Sequence, residues 1–321
     1  MRSRDAPRGR SASSGVSVRR VRIAAAVALI AAVMLVAVIR RAAPAPAVVL
    51  HAIDQLAGQR RICRECAVSR HRWLDRAPRH LSTRWFGTVP AALFVHGGGW
   101  VSGSKASAAF WALPFLARGY AVVAVGYRLA DVAPAPEAVE DVRCALGWLQ
   151  ANGGGYQIDP SRIVTAGDSA GGHLALMAGL LRGSDGFDTM CDDPVRTRVA
   201  AILSIFGVSD VAAPADQQAR QPADSWPFAL QWLGASAGGA PLAQRVSPLS
   251  WIRADSPPVR AVHGTADALV PFAQARALHR ALDTAGVRND LVTIDGGAHG
   301  DFSVAQWAHV ARRIMAFLPA P

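Results

Sequence analysis

The chain has 321 residues, 51% of them hydrophobic and 18% charged, which is enough to bury the core of one large α/β domain with an appendage and excludes a mostly disordered protein. The formal net charge is +11, but residues 1–90 hold 17 of the 34 Lys/Arg and only 4 of the 23 Asp/Glu. The remaining 231 residues are close to neutral, so the charge is that of a basic leader and not of a nucleic-acid-binding face.

Residues 1–22 carry seven arginines among Ser and Gly and read as a disordered basic tail. Residues 23–39 (Ile23 to Ile39) are seventeen residues without a charge. A helix of that length spans about 25 Å, and Arg22, Arg40 and Arg41 at its ends can snorkel across the remainder of a bilayer core. The arginine asymmetry keeps the N-terminus cytoplasmic and sends the rest across, so this stretch is expected to be a transmembrane signal-anchor with the following domain extracytoplasmic. The alternative is secretion after cleavage near Ala45-Pro46-Ala47; Arg19-Arg20 hints at a twin-arginine signal. Residues 40–90 begin with Ala and Pro, then place eight arginines between Arg60 and Arg84 without sustained periodicity, and are read as a linker with no assigned structure. Within them Cys63-x-x-Cys66 lacks a second cysteine pair and has only His71 and His80 nearby, so a local disulfide or idle thiols is favoured over a metal site. Cys144 falls in a predicted helix and Cys191 in a loop, and spacing alone leaves their pairing open.

From residue 91 the pattern becomes regular. Apolar strands are predicted at 91–95, 120–125, 162–165, 199–205, 259–263 and 290–294, alternating with helices near 107–118, 137–152, 172–182, 272–285 and 304–317. Strands separated by helices predict a mostly parallel sheet covered by helices, spanning 91–321. Residues 207–256, rich in Pro, Ala, Gly and Trp, interrupt the alternation and read as a small cap inserted after a strand.

Three stretches carry chemistry. Gly167-Asp168-Ser169-Ala170-Gly171 lies between a β-branched run and an Ala/Leu-rich run, so a strand turns straight into a helix. That turn strains its central residue and tolerates only small neighbours, lifting the Ser169 hydroxyl above the sheet edge as a nucleophile and aiming the Ala170 amide at the same point. His96-Gly97-Gly98-Gly99-Trp100 follows the first clear strand, and its glycines let backbone amides converge where a carbonyl oxygen becomes negative; Gly98, Gly99 and Ala170 are the oxyanion-hole candidates. His96 is read as an anchor of that loop. A nucleophilic serine needs a general base, and the base an orienting carboxylate. His299 lies just past the strand at 290–294 and Asp267 just past the strand at 259–263, with Asp295 and Asp301 as rival acids too near His299 in sequence. His173, His263, His279 and His309 fall within strand or helix patterns and are read as core or surface residues.

Taken together, HGGGW at 96–100, GYAVVAVGYRLA at 119–130, the helix from Pro136 to Leu149, IDPSRIVTAGDSAGGHLAL at 158–176, HGTADALVP at 263–271 and GGAHG at 296–300 resemble the α/β-hydrolase superfamily. Within it the chain looks most like the hormone-sensitive-lipase-like and feruloyl-esterase-like carboxylesterases. The resemblance implies ester hydrolysis through an acyl-enzyme, with no metal and no cofactor; a small-molecule ester is the expected substrate, and the charge distribution argues against a nucleic-acid partner. An amide or formamide hydrolase with the same three residues, or an inactive hydrolase fold used for binding, are the rivals. The two leading strands such enzymes place before HGGGW are not recognisable in residues 48–90. In the cap, Trp226, Phe228, Trp232 and Trp251 are spaced as a bulky aromatic group. With Trp100, residues Trp226 and Trp232 are expected to wall a pocket for acyl chains of about 2 to 6 carbons or small aromatic esters, and Trp232→Ala to shift preference toward longer chains.

Overall fold

The computed structural model describes residues 50–53, 88–212, 227–234 and 239–320. The expected anchor at 23–39, Cys63, Cys66 and Trp226 lie outside these residues. Among the described residues no helix is long and apolar enough to cross a membrane.

The described strands are β1 (Leu50–Ile53), β2 (Val89–Val95), β3 (Ala121–Val125), β4 (Ile158–Asp168), β5 (Ala201–Ile205), β6 (Val259–Gly264) and β7 (Asn289–Ile294). They form one parallel sheet in the order β1-β3-β2-β4-β5-β6-β7. The helices are α1 (Ala108–Ala117), α2 (Glu137–Asn152), α3 (Ala170–Leu180), α4 (Pro227–Leu233), α5 (Gly239–Arg245), α6 (Phe272–Thr284) and α7 (Val304–Phe317). Every strand and helix predicted from residue 91 onward has its counterpart within a few residues. β1 is an addition: four residues of the stretch read as a linker pair in register with β3, Leu50 opposite Val122. So short a run, paired at a sheet edge, leaves no periodic signal in the sequence.

Side chains alternate across the sheet because successive residues of a strand point to opposite faces. Leu93 and Val95 pack on one side with Val142, Leu146 and Leu149 of α2 and with α3, whereas Phe94, Val164 and Ala166 pack on the other with Trp111 and Phe115 of α1 and Ile314 and Phe317 of α7. α3 is apolar except for His173, and each of its residues is buried, as such a helix requires. It approaches β5 so closely that a Cβ on Gly179 would lie 2.5 Å from Ile202. The loop after α3 is held to α2 twice. Arg143, fully buried, donates to both carboxylate oxygens of Asp188 and to the carbonyls of Ala178 and Leu181, which caps the end of α3. The neighbouring Cys144 forms a disulfide with Cys191. In the region read as a cap, α4 and α5 are followed by a single 3-10 turn at Pro248–Trp251 before the chain re-enters the sheet at β6.

Candidate active site

β4 ends at Asp168 and α3 starts at Ala170, so Ser169 is the whole connection. Its φ of 52° and ψ of −121° are the strained conformation a strand-to-helix elbow imposes on a residue that carries a side chain. The glycines around it are sterically required. A Cβ on Gly167 would sit 2.3 Å from the carbonyl oxygen of Gly171, and one on Gly171 would sit 2.1 Å from that of Val95. The turn is closed by the Ser169 amide donating to Ile205 (2.9 Å) and the His173 amide donating to Ser169 (3.0 Å).

The loops after β6 and β7 converge on this serine. His299 Nε2 lies 2.9 Å from Ser169 Oγ, and His299 Nδ1 lies 2.8 Å from Asp267 Oδ2. Because the carboxylate can only accept, Nδ1 carries the proton and Nε2 accepts from the serine hydroxyl. Asp267 is buried, and its other oxygen accepts from the amides of Leu269 (2.9 Å) and Val270 (2.8 Å). Burial opposes its ionisation, but hydrogen bonds from His263, His299 and the Val270 amide outweigh that and hold the carboxyl well below the usual range. His263 itself is anchored to the carbonyl of Val270 at 2.8 Å. Of the rival acids, Asp295 is exposed and accepts from Thr265 Oγ1 at 3.2 Å. Asp301 is exposed.

The 96–100 loop folds over the elbow with Gly98 at φ 119°, a conformation that demands glycine, and Gly99 at φ 62°. Its ends are tied down. Tyr127 donates to the carbonyl of His96 (3.1 Å) and stacks on the ring, with 4.3 Å between centroids. Trp100 Nε1 donates to His173 Nδ1 (3.2 Å), and His173 Nε2 donates to the carbonyl of Val246 (2.7 Å). Burial lowers the pKa of His96, and it pushes His173 down to about 4, so His173 is neutral and structural. Asp168 also faces the site: its Oδ1 accepts from the Gly97 amide at 3.1 Å. Burial pushes this carboxyl up to about 6 against the opposing effect of that amide.

Ser169, His299, Gly98, Gly99 and Ala170 open into one cavity of about 620 Å³. Trp100 lines it, and so does Phe228 from α4. Trp232 does not. It is fully buried, stacked on Trp100 with 4.7 Å between centroids and edge-on to His173, so it packs α4 onto the 96–100 loop behind the cavity wall. Trp251 lies against Phe187, away from the site. The aromatic wall comes instead from Phe110 and Trp111 of α1, Phe206 after β5 and Trp307 of α7. Phe206 sits 4.6 Å from the His299 ring, and Trp111 and Trp307 meet edge-to-face at 5.2 Å. The sequence reading singles out none of these four, and the two tryptophans come together only because α1 and α7 share a face of the sheet.

The chain is similar to known ester hydrolases. Over 197 residues the chain is 33% identical to the probable carboxylic ester hydrolase LipM of Mycobacterium tuberculosis, a match covering 59% of this chain and 44% of that protein. Over 234 residues it is 29% identical to the esterase LipQ of the same organism, covering 71% and 53%. The chain thus spans about half the length of these curated relatives. Among solved structures, the propionate-bound esterase 2 of Thermogutta terrifontis is 28% identical with a TM-score of 0.59, covering 74% of this chain and 85% of that one. A truncated carbohydrate esterase from gut microbiota is 26% identical with the same TM-score, covering 73% and 87%. The family model for BD-FAE matches residues 81–282, which includes the 96–100 loop, the elbow and Asp267. With more than half of its length matched, the chain belongs to the BD-FAE family and is an α/β-hydrolase.

Proposed function

We propose that this protein is a serine carboxylesterase that cleaves small esters through an acyl-enzyme. The observation that carries the reading is the unbroken relay from Ser169 Oγ to His299 to Asp267, at 2.9 and 2.8 Å, opening into a cavity beside a glycine loop. Ser169 Oγ attacks the ester carbonyl carbon while His299 Nε2 takes its proton, and Asp267 stabilises the imidazolium that results. The carbonyl oxygen, now negative, is met by the amides of Gly98, Gly99 and Ala170. The intermediate collapses by breaking the bond to the alcohol oxygen, which leaves with the proton from His299. Water then repeats the sequence: His299 takes a proton from it, its oxygen attacks the acyl carbon, and the carboxylic acid departs as Ser169 recovers its hydrogen.

A cavity of about 620 Å³ walled by Phe110, Trp111, Phe206, Phe228 and Trp307 supports substrates with a short acyl chain or a small aryl group. The ester names borne by the relatives support the bond that is cut. We further place the domain outside the cytoplasm, held by residues 23–39. The arginine asymmetry supports this, as does the Cys144–Cys191 disulfide, which suits an oxidising compartment.

The test is a chromogenic ester series from acetyl to palmitoyl, run on the full chain and on Ser169→Ala. Hydrolysis should be fastest at about 2 to 6 carbons and fall by about 10³-fold or more in the folded variant. A folded Ser169→Ala chain that kept a tenth of native turnover would overturn the assignment. A reporter fused after Pro321 that was active only in the cytoplasm would overturn the topology.

A further inference from the structure

We infer that Asp168 is a positioning residue that fixes the glycine loop against the nucleophile elbow through the Gly97 amide; this rests on the esterase reading above. The two segments come from different strand ends, β2 and β4, whose last paired residues are Val95 and Gly167. The loop's remote ends are held elsewhere, by Tyr127 at His96 and by His173 at Trp100. Between them, the amides expected to meet the oxyanion belong to Gly98 and Gly99, and glycine backbone with positive φ has many conformations open to it.

Asp168 restricts that freedom at the residue before them. Its Oδ1 accepts from Gly97 N at 3.1 Å, which fixes the plane of the 96–97 peptide. The contact is close throughout: a Cβ on Gly97 would lie 2.7 Å from Asp168 Oδ2 and 3.2 Å from Ser169 Cβ. Because Asp168 immediately precedes Ser169, one carboxylate sets the distance between nucleophile and oxyanion donors. The carboxylate's negative charge would itself oppose a developing oxyanion at this range. What the site uses is therefore the hydrogen bond and not the charge. That distinction separates Asp168→Asn, whose amide oxygen can still accept from Gly97, from Asp168→Ala, which cannot.

Turnover of a short chromogenic ester is measured per active serine, counted by stoichiometric phosphonate labelling, together with hydrogen exchange of the 95–101 segment in each full-length variant. Losing alignment of the loop donors should lower kcat of Asp168→Ala by about 10²-fold with KM within about threefold of native, since a misplacement of about 1 Å has that effect. Exchange of the loop amides should rise about tenfold or more. Asp168→Asn should restore kcat to within about threefold of native and return exchange to the native rate. A kcat for Asp168→Ala within threefold of native per labelled serine would overturn the inference. So would an Asn variant as slow and as freely exchanging as the Ala variant. If the native chain hydrolysed no ester, the esterase reading would fall, while the exchange comparison would still decide whether Asp168 holds the loop.

Discussion

Asp267→Asn isolates one atom of the relay. In the native site Oδ1 is occupied by the amides of Leu269 and Val270, and Oδ2 faces His299 Nδ1 at 2.8 Å and His263 Nε2 at 3.3 Å. An asparagine keeps its carbonyl oxygen toward the two backbone donors, because the opposite orientation would set its NH2 against two N–H groups. Its NH2 then faces His299, so Nδ1 must accept and the ring proton moves to Nε2, where it blocks removal of the serine proton. The expected fall in kcat is about 10⁴-fold, or about 5 kcal/mol of transition-state stabilisation. The volume is unchanged and the backbone bonds survive, so the loss should appear in kcat on a short chromogenic ester without loss of fold by circular dichroism. Asp295→Asn, exposed and bonded to Thr265, is the control and should stay within about threefold of native. If Asp267→Asn retained more than a tenth of native kcat, or Asp295→Asn lost as much, the assignment of the orienting acid would be wrong.

Trp232→Ala should destabilise the fold by about 3–5 kcal/mol, read as a lower urea midpoint, because it empties a fully buried site between Trp100 and His173. An unchanged midpoint with a shift toward longer acyl chains would restore this tryptophan to the pocket wall. Replacing Cys144 and Cys191 by serine opens a loop closed over a sequence separation of 47 and should lower stability by about 4 kcal/mol at most; equal midpoints for the native and doubly substituted chains would refute it. For His173, burial places the folded pKa near 4 against 6.5 unfolded, so the unfolded chain binds the proton first and stability is lost as pH falls from 6.5 toward 4. That loss is about 3 kcal/mol. It should be absent from His173→Gln, and an identical acid dependence in the two chains would show that the ring contributes nothing.

The elbow could be read directly from Gly167-Asp168-Ser169-Ala170-Gly171 because its turn is local: a Cβ on Gly167 would lie 2.3 Å from the carbonyl oxygen of Gly171, four residues on. Strand and helix periodicity likewise resides in neighbouring residues, which is why the sequence alone determined the parallel sheet from residue 91 and the order Ser169, Asp267, His299. The sequence favoured Asp267 over Asp295 and Asp301, but only tertiary structure made the contacts, since Asp267 reaches His299 across 32 residues and His299 reaches Ser169 across 130. It also decided that Cys144 meets Cys191, that Leu50–Ile53 forms a sheet edge, and that Trp111 and Trp307, not Trp232, line the cavity beside Ser169. Those outcomes depend on where whole elements come to rest against one another. A tryptophan in an apolar helix has the same local signal whether its ring ends in the core or at a cavity wall.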